Sequence, residues 1–112
     1  MNNKLKLAFD NEMAQAKVAY NNANYDLSFK HLEFAHILGQ KYVIPHTISH
    51  CWMLKVGWQR SDVREVIGQT FRIIASVIFS RIWVPKGNTG GADVNPLKPM
   101  PIPDELKQYI DE

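Results

Sequence analysis

Three histidines and one glutamate lie at spacings that suit metal coordination. Glu33 and His36 are three residues apart, and His46 and His50 are four apart, so each pair would share one face of a helix. Imidazole and carboxylate groups bind first-row divalent metals, whereas calcium and magnesium prefer sites built from oxygen ligands. If the two helices form an antiparallel hairpin, the four side chains meet. The sequence therefore predicts Glu33, His36, His46 and His50 as ligands of zinc or another first-row divalent metal.

The same histidines also have a purely structural interpretation. A buried imidazole is often satisfied by a backbone carbonyl or by a carboxylate such as Glu33. His31 projects to the other side of its helix, beside Leu27 and Leu38, which favours a packing or surface role. If metal does bind, the ordinary imidazole pKa of about 6.5 predicts that binding weakens below that pH. The metal site and the structural network remain open alternatives at this point.

A polar stripe on the predicted fourth helix offers further groups for such a site. Glu65, Gln69 and Arg72 follow one another at four- and three-residue spacings, opposite an apolar face. If the stripe faces the histidines, Glu65 is a further carboxylate that can fix an imidazole tautomer. Otherwise the stripe is a solvated face or part of a helix cap. We predict Glu65, Gln69 and Arg72 as auxiliary residues.

Other chemistry has weaker support. Cys51, the single cysteine, lies about 100° from the stripe of His46 and His50, which argues against a Cys-His nucleophile pair. The glycine-rich residues 87–91 offer backbone N–H groups to an anion, but they follow no predicted strand and lack the P-loop pattern. No catalytic triad, general base or substrate pocket is recognisable, so binding is favoured over enzyme activity.

Apolar residues at three- and four-residue spacings predict a helical hairpin in the first forty residues. The first helix spans residues 3–21. Asn24 is a favourable N-cap for the second helix, and Gly39 should end it. The hairpin partly matches one tetratricopeptide unit, but Ser28 replaces the usual alanine and no second copy follows. This tetratricopeptide-like pattern supports the hairpin and says little about peptide binding.

Two more helices should follow and form a second hairpin. Pro45 fits the first turn of a helix that ends near Trp58, and Asp62 begins a fourth helix that runs to about Ile82. The fourth helix has a broad apolar face, which predicts that it is the core helix. The members of this face are Val63, Val66, Ile67, Thr70, Ile73, Ile74, Val77 and Ile78.

Together these elements predict an all-α fold in a single domain that spans residues 1–112. Residues 1–84 would form a four-helix core of two antiparallel hairpins. Proline and glycine then predict an extended segment over residues 85–102, packed along the bundle, and a short helix within residues 103–112. A disordered tail is the alternative for the extended segment. At 112 residues the chain can bury one hydrophobic core.

Composition limits which cellular compartment and which partners are expected. The net charge is +2, from 13 basic and 11 acidic residues that are interspersed, which argues against a nucleic-acid partner. The sequence lacks a long apolar stretch, so we expect neither a signal peptide nor a membrane partner. A single cysteine suits a reducing compartment, which predicts a cytoplasmic protein. Three tryptophans and the apolar fourth helix predict a homo-oligomer, most simply a homodimer.

Taken together, several motifs resemble a bacterial family known as domain of unknown function 3703. The motifs are His31-Leu-Glu33, Ala35-His36, Gly39-Gln40, His46, His50, Arg64-Glu65, Gly68-Gln69, Gly87–Gly91 and Pro99–Pro103. The resemblance covers nearly the whole chain and implies only that these positions form one site or one structural network. We expect a small metal-binding or metal-sensing accessory protein. The alternative is a non-catalytic helical scaffold with a protein partner and structural histidines.

Overall fold

The computed structural model describes residues 1–79, 88–94 and 98–110, and this part of the chain is all-α. Four helices follow one another: α1 (Asn3–Asn21), α2 (Tyr25–Gly39), α3 (Val43–Gln59) and α4 (Val63–Phe79). A short 3-10 helix, Asp104–Tyr109, lies near the C-terminus. No helix among these residues combines the length and the hydropathy needed to cross a bilayer. The predicted all-α fold with four successive helices is confirmed, although the expected end of α4 near Ile82 lies outside the described residues.

Local signals explain where the helices begin and end. The side chain of Asn24 accepts a hydrogen bond from Leu27 N at the start of α2, and Asp62 Oδ1 accepts one from Glu65 N at the start of α4. Gly39 ends α2 at a crowded position, where an added Cβ would lie 2.8 Å from the Cβ of Pro45. Because only a short connection separates each helix from the next, consecutive helices lie side by side.

The hydrophobic core lies between α1, α2 and α3. Each helix packs against the next one in the chain, and the C-terminal 3-10 helix contacts α1 and α2. Leu32, Met53 and Val56 are fully buried in this core. Leu106 of the 3-10 helix and Ile102 just before it are buried in the same cluster. The C-terminal segment therefore completes a core that is otherwise formed by the first three helices.

α4 exposes the face that the sequence predicted to be buried. Its apolar side chains Phe71 and Val63 are 70% and 68% exposed, whereas its polar side chains Glu65 and Gln69 are 6% and 0% exposed. The prediction that α4 is the core helix is therefore wrong. Periodicity identifies the two faces of a helix, but it does not show which face is covered. Here the polar face is buried because Glu65 and Gln69 form hydrogen bonds with groups inside the protein.

Candidate metal centre

Three imidazole rings meet where the end of α2 lies beside the start of α3. His36 is in the last turn of α2, and His46 and His50 lie one turn apart near the start of α3. The Nε2 atom of His36 is 2.9 Å from that of His46 and 3.1 Å from that of His50. The Nε2 atoms of His46 and His50 are 3.0 Å apart. Among the described residues, these three side chains form a group that could hold a metal ion.

The triangle of Nε2 atoms has the dimensions of a metal-binding face. Zinc–nitrogen bonds are about 2.0–2.1 Å long, so nitrogens about 3 Å apart could all contact one ion. His36, His46 and His50 would then hold the ion through their Nε2 atoms.

The tautomer of His36 is fixed by a backbone carbonyl. His36 Nδ1 lies 2.7 Å from the carbonyl oxygen of Asn88. A carbonyl oxygen can only accept a hydrogen bond, so Nδ1 carries the proton and donates it. In the neutral ring, Nε2 is then an unprotonated nitrogen whose lone pair points at the other two imidazoles.

The tautomer of His50 is fixed in the same way by Gln69 of α4. His50 Nδ1 lies 2.6 Å from Gln69 Oε1. The amide cannot be reversed, because its Nε2 atom donates to Glu65 Oε2 at 2.9 Å and to the carbonyl of Gly90 at 2.8 Å, and both of these atoms are acceptors. His50 Nδ1 therefore donates to Oε1. The Nε2 atom of His50 presents a second lone pair to the centre of the triangle.

The three imidazoles cannot satisfy one another without a cation. His36 and His50 have no proton between their Nε2 atoms, which are 3.1 Å apart. Only His46 remains to supply a proton at Nε2. Its Nδ1 atom is buried without a hydrogen-bond partner in the described structure, so no acceptor holds the proton of this ring at Nδ1. A proton on His46 Nε2 bridges one neighbour well and leaves the pair of His36 and His50 unbridged. A bound metal ion would accept all three lone pairs at once.

Burial keeps these rings neutral. Desolvation lowers the pKa of His46 to about 4, and desolvation together with the neighbouring His46 lowers the pKa of His50 to about 3. The same causes, burial first and then the other two histidines, lower the pKa of His36 well below its ordinary value. Metal ligands must be deprotonated, so the rings are ready to bind at neutral pH. The predicted weakening of binding moves from about pH 6.5 to more acidic pH.

A loop from the C-terminal part of the chain closes one side of the site. The backbone of Gly90 lies against the ring of His36, and an added Cβ would come within 2.5 Å of the ring atom Cδ2. Gly90 also has a φ of 83°, a conformation that favours glycine. Asn88 holds the loop by accepting from Gly90 N at 2.9 Å and donating to the carbonyl of Lys98 at 2.8 Å. The loop can therefore approach His36 only because residue 90 has no side chain.

The three predicted auxiliary residues lie on the side of α4 that faces this loop. Glu65 Oε1 accepts from Ala92 N at 2.9 Å, and Arg72 Nη2 donates to the carbonyl of Val94 at 3.0 Å. Gln69 contacts His50 directly, as described above. Glu65 therefore acts on the triangle through Gln69, whereas Arg72 holds the end of the loop.

Glu33 is placed differently from the three histidines. Its carboxylate does not belong to the group of converging ligand atoms, so a direct ligand role for Glu33 stays a prediction. Burial, followed by the nearby carboxylates of Asp93 and Glu65, raises the pKa of Glu33 to about 7. Glu33 of α2 is therefore a partly buried carboxyl group that titrates near neutral pH, close to Asp93 of the loop and Glu65 of α4.

The remaining residues considered from the sequence lie elsewhere. His31 Nδ1 lies at hydrogen-bond distance, 2.6 Å, from Glu12 Oε2 of α1, and Cys51 is exposed. Neither residue joins the triangle. Reasoning from the spacing of residues did not assign Asn88 and Gly90 to the site, although the family resemblance had grouped residues 87–91 with the histidines as one site or one structural network. Within the sequence itself their signal was the glycine-rich run 87–91, which fits a close backbone approach as well as it fits an anion site.

The fold and the site define a small helical protein with a buried cluster of three converging imidazoles. A family model described as a protein of unknown function, DUF3703, matches residues 3–110. The chain belongs to this family, as its motifs indicated. No curated protein and no solved structure matches the chain.

Proposed function

We propose that the protein binds one first-row divalent metal ion, such as zinc, through the Nε2 atoms of His36, His46 and His50. One observation carries the proposal: two of the rings are locked as Nδ1–H tautomers, so their lone pairs converge on one point. Metal-binding histidines commonly donate their other ring nitrogen to a carbonyl or a carboxylate in this way. Imidazole ligands favour zinc, nickel, copper or iron over calcium and magnesium.

A purely structural histidine network explains the arrangement less well. Such a network needs a proton between each pair of touching nitrogens, because buried polar groups require hydrogen-bond partners. His36 and His50 use their protons elsewhere, and burial disfavours an additional proton on either ring. A structural network alone therefore leaves an unfavourable contact between the Nε2 atoms of His36 and His50, and a bound metal ion would remove it.

The connection of the triangle to the C-terminal loop favours an accessory or sensing role over catalysis. His36 holds Asn88, and Gln69 joins His50 to Gly90. A metal that positions the rings therefore also positions the loop, which spans residues 88–94. A sensor needs such a link between its ligands and a second part of the fold.

The test is to measure metal on protein that was purified without a polyhistidine tag. Elemental analysis should find close to one equivalent of a first-row metal. Calorimetry of the chelator-treated protein should show binding of zinc, nickel or copper and no comparable heat with calcium or magnesium. A His36→Gln, His46→Gln, His50→Gln variant that keeps its helical circular dichroism is the matched control. Absence of heat with zinc, nickel and copper at neutral pH would rule out the proposal.

A further inference from the structure

The outer face of α4 carries an uncharged apolar seam. Its central positions, spaced alternately by four and three residues, are Val63, Ile67, Thr70, Ile74 and Val77, and Phe71 and Ile78 lie beside them. All seven side chains are exposed, and the six large apolar ones are each more than half exposed. Alternate spacings of four and three are those of the contact positions in coiled coils.

The seam is held outside by the site on the other face of the same helix. Glu65 and Gln69 must face inward because they bond to Ala92, His50 and Gly90. Among the described elements, α4 packs against α3 only. The helix cannot rotate its apolar face into the protein without breaking the hydrogen bonds that fix His50. The exposure of the seam is thus a consequence of the architecture of the histidine site.

We propose that the seam is covered by the α4 seam of a second copy of this chain, which gives a homodimer with two-fold symmetry. Six large side chains that each expose on the order of 100 Å² give about 600 Å² per copy, so two seams would cover about 1,200 Å², the lower limit of specific, stable interfaces. A two-fold interface requires a surface that is complementary to itself. An uncharged seam with a heptad-like spacing meets this requirement, because none of its seven members carries a charge.

The chemistry of the seam favours a second copy over a lipid surface. Five of its seven members are valine or isoleucine, β-branched residues that pack into the holes of a facing helix. An interfacial membrane helix instead combines its apolar side with lysine and arginine on the polar side. α4 instead has Glu65 and Gln69 buried on its polar side. Of its two arginines, Arg72 is partly buried and donates to Val94, which leaves Arg64 as the exposed one.

The test compares the solution mass of the wild type with that of an Ile67→Asp, Ile74→Asp variant. Both side chains are more than half exposed in the single chain, so the variant should fold, and circular dichroism checks this. Light scattering at micromolar concentrations should give twice the 12.9 kDa of one chain for the wild type and a single chain for the variant. Leu7→Asp is the matched control, because Leu7 is an exposed apolar residue of α1, and this variant should remain dimeric.

A second measurement does not depend on the folding of the aspartate variant. In a Cys51→Ser background, Thr70→Cys places a thiol near the middle of the seam, and Leu7→Cys places one on α1. Oxidation should cross-link the Thr70→Cys chains much faster than the Leu7→Cys chains. Equal rates, a wild type that stays a single chain up to about 100 µM, or a wild type that associates only with phospholipid vesicles would overturn the proposal.

Discussion

The hydrogen bond from His50 Nδ1 to Gln69 Oε1 decides which nitrogen of His50 faces the other two imidazoles. Gln69 is itself held by Glu65 and by the carbonyl of Gly90. Two consecutive hydrogen bonds thus link a carboxylate on α4 to the orientation of a lone pair on α3. The donor properties of His50 depend on a residue that would never contact the metal.

Replacing Gln69 with methionine should weaken metal binding without removing a ligand. Methionine keeps most of the side-chain volume but cannot accept the proton of His50, and the loss of such a partner typically costs 10- to 100-fold in affinity. Competition with a chelator of known affinity measures the change. Gln15→Met, on an exposed position of α1, is the control and should bind like the wild type. An unchanged affinity for Gln69→Met would show that the tautomer is not set by this bond.

His50→Ala should abolish tight metal binding, and His31→Ala should leave it intact. The first change removes one corner of the triangle, whereas the second removes only the partner of Glu12. Calorimetry with zinc at neutral pH distinguishes the two variants. Equal losses in both would mean that binding follows general histidine content and not this site.

Metal binding should persist well below pH 6.5. In the folded protein the pKa values of His46 and His50 lie at about 4 and about 3, so protons compete with the metal only near those values. Ligands with an ordinary pKa of about 6.5 would lose roughly tenfold each at pH 5.5. Affinities measured at pH 7.0 and pH 5.5 should therefore differ by only a few-fold. A loss near a thousandfold would contradict the lowered pKa values.

Glu33→Gln should stabilise the metal-free protein at alkaline pH. Because the folded pKa of Glu33 is raised to about 7, its contribution to stability is fully present below about pH 4.5 and is lost as the pH rises through 7. The substitution should raise the melting temperature by a few degrees at pH 8 and change it little at pH 5. Thermal denaturation with a chelator present measures both. Glu105→Gln, at an exposed position, should shift neither value, and an equal shift of Glu33→Gln at both pH values would disprove the assignment.

Gly90→Ala should impair both stability and metal binding. A methyl group would meet the ring of His36, and the left-handed backbone would strain any other residue, so a loss of more than about 1 kcal/mol is expected. Urea denaturation measures the stability, and chelator competition measures the affinity. A variant with wild-type values in both would mean that the loop does not press on His36.

The helices and the histidines could be predicted from the sequence because their signals are local. The ends of α2 and the start of α4 follow from Asn24, Gly39 and Asp62. The meeting of His36 with His46 and His50 follows from the hairpin, since the end of one helix must lie near the start of the next.

The orientation of α4 and the role of the loop could not be predicted because they depend on distant partners. The polar face of α4 is buried only because Ala92 and Gly90 bring backbone groups to it. A sequence pattern contains the polarity of Glu65 and Gln69, but it does not contain the position of a loop more than twenty residues away. Without these partners, the polarity of Glu65 and Gln69 predicts exposure to solvent.

The bond between His36 and Asn88 joins residues that are 52 positions apart. During synthesis the three imidazoles emerge well before residue 88, so α2 and α3 can meet while His36 is still free to carry its proton on either nitrogen. The donor state of His36 is settled only when the C-terminal segment returns to the bundle. Before that return, His50 is at most the one ring whose tautomer is fixed, so tight metal binding would require the C-terminal segment to be in place.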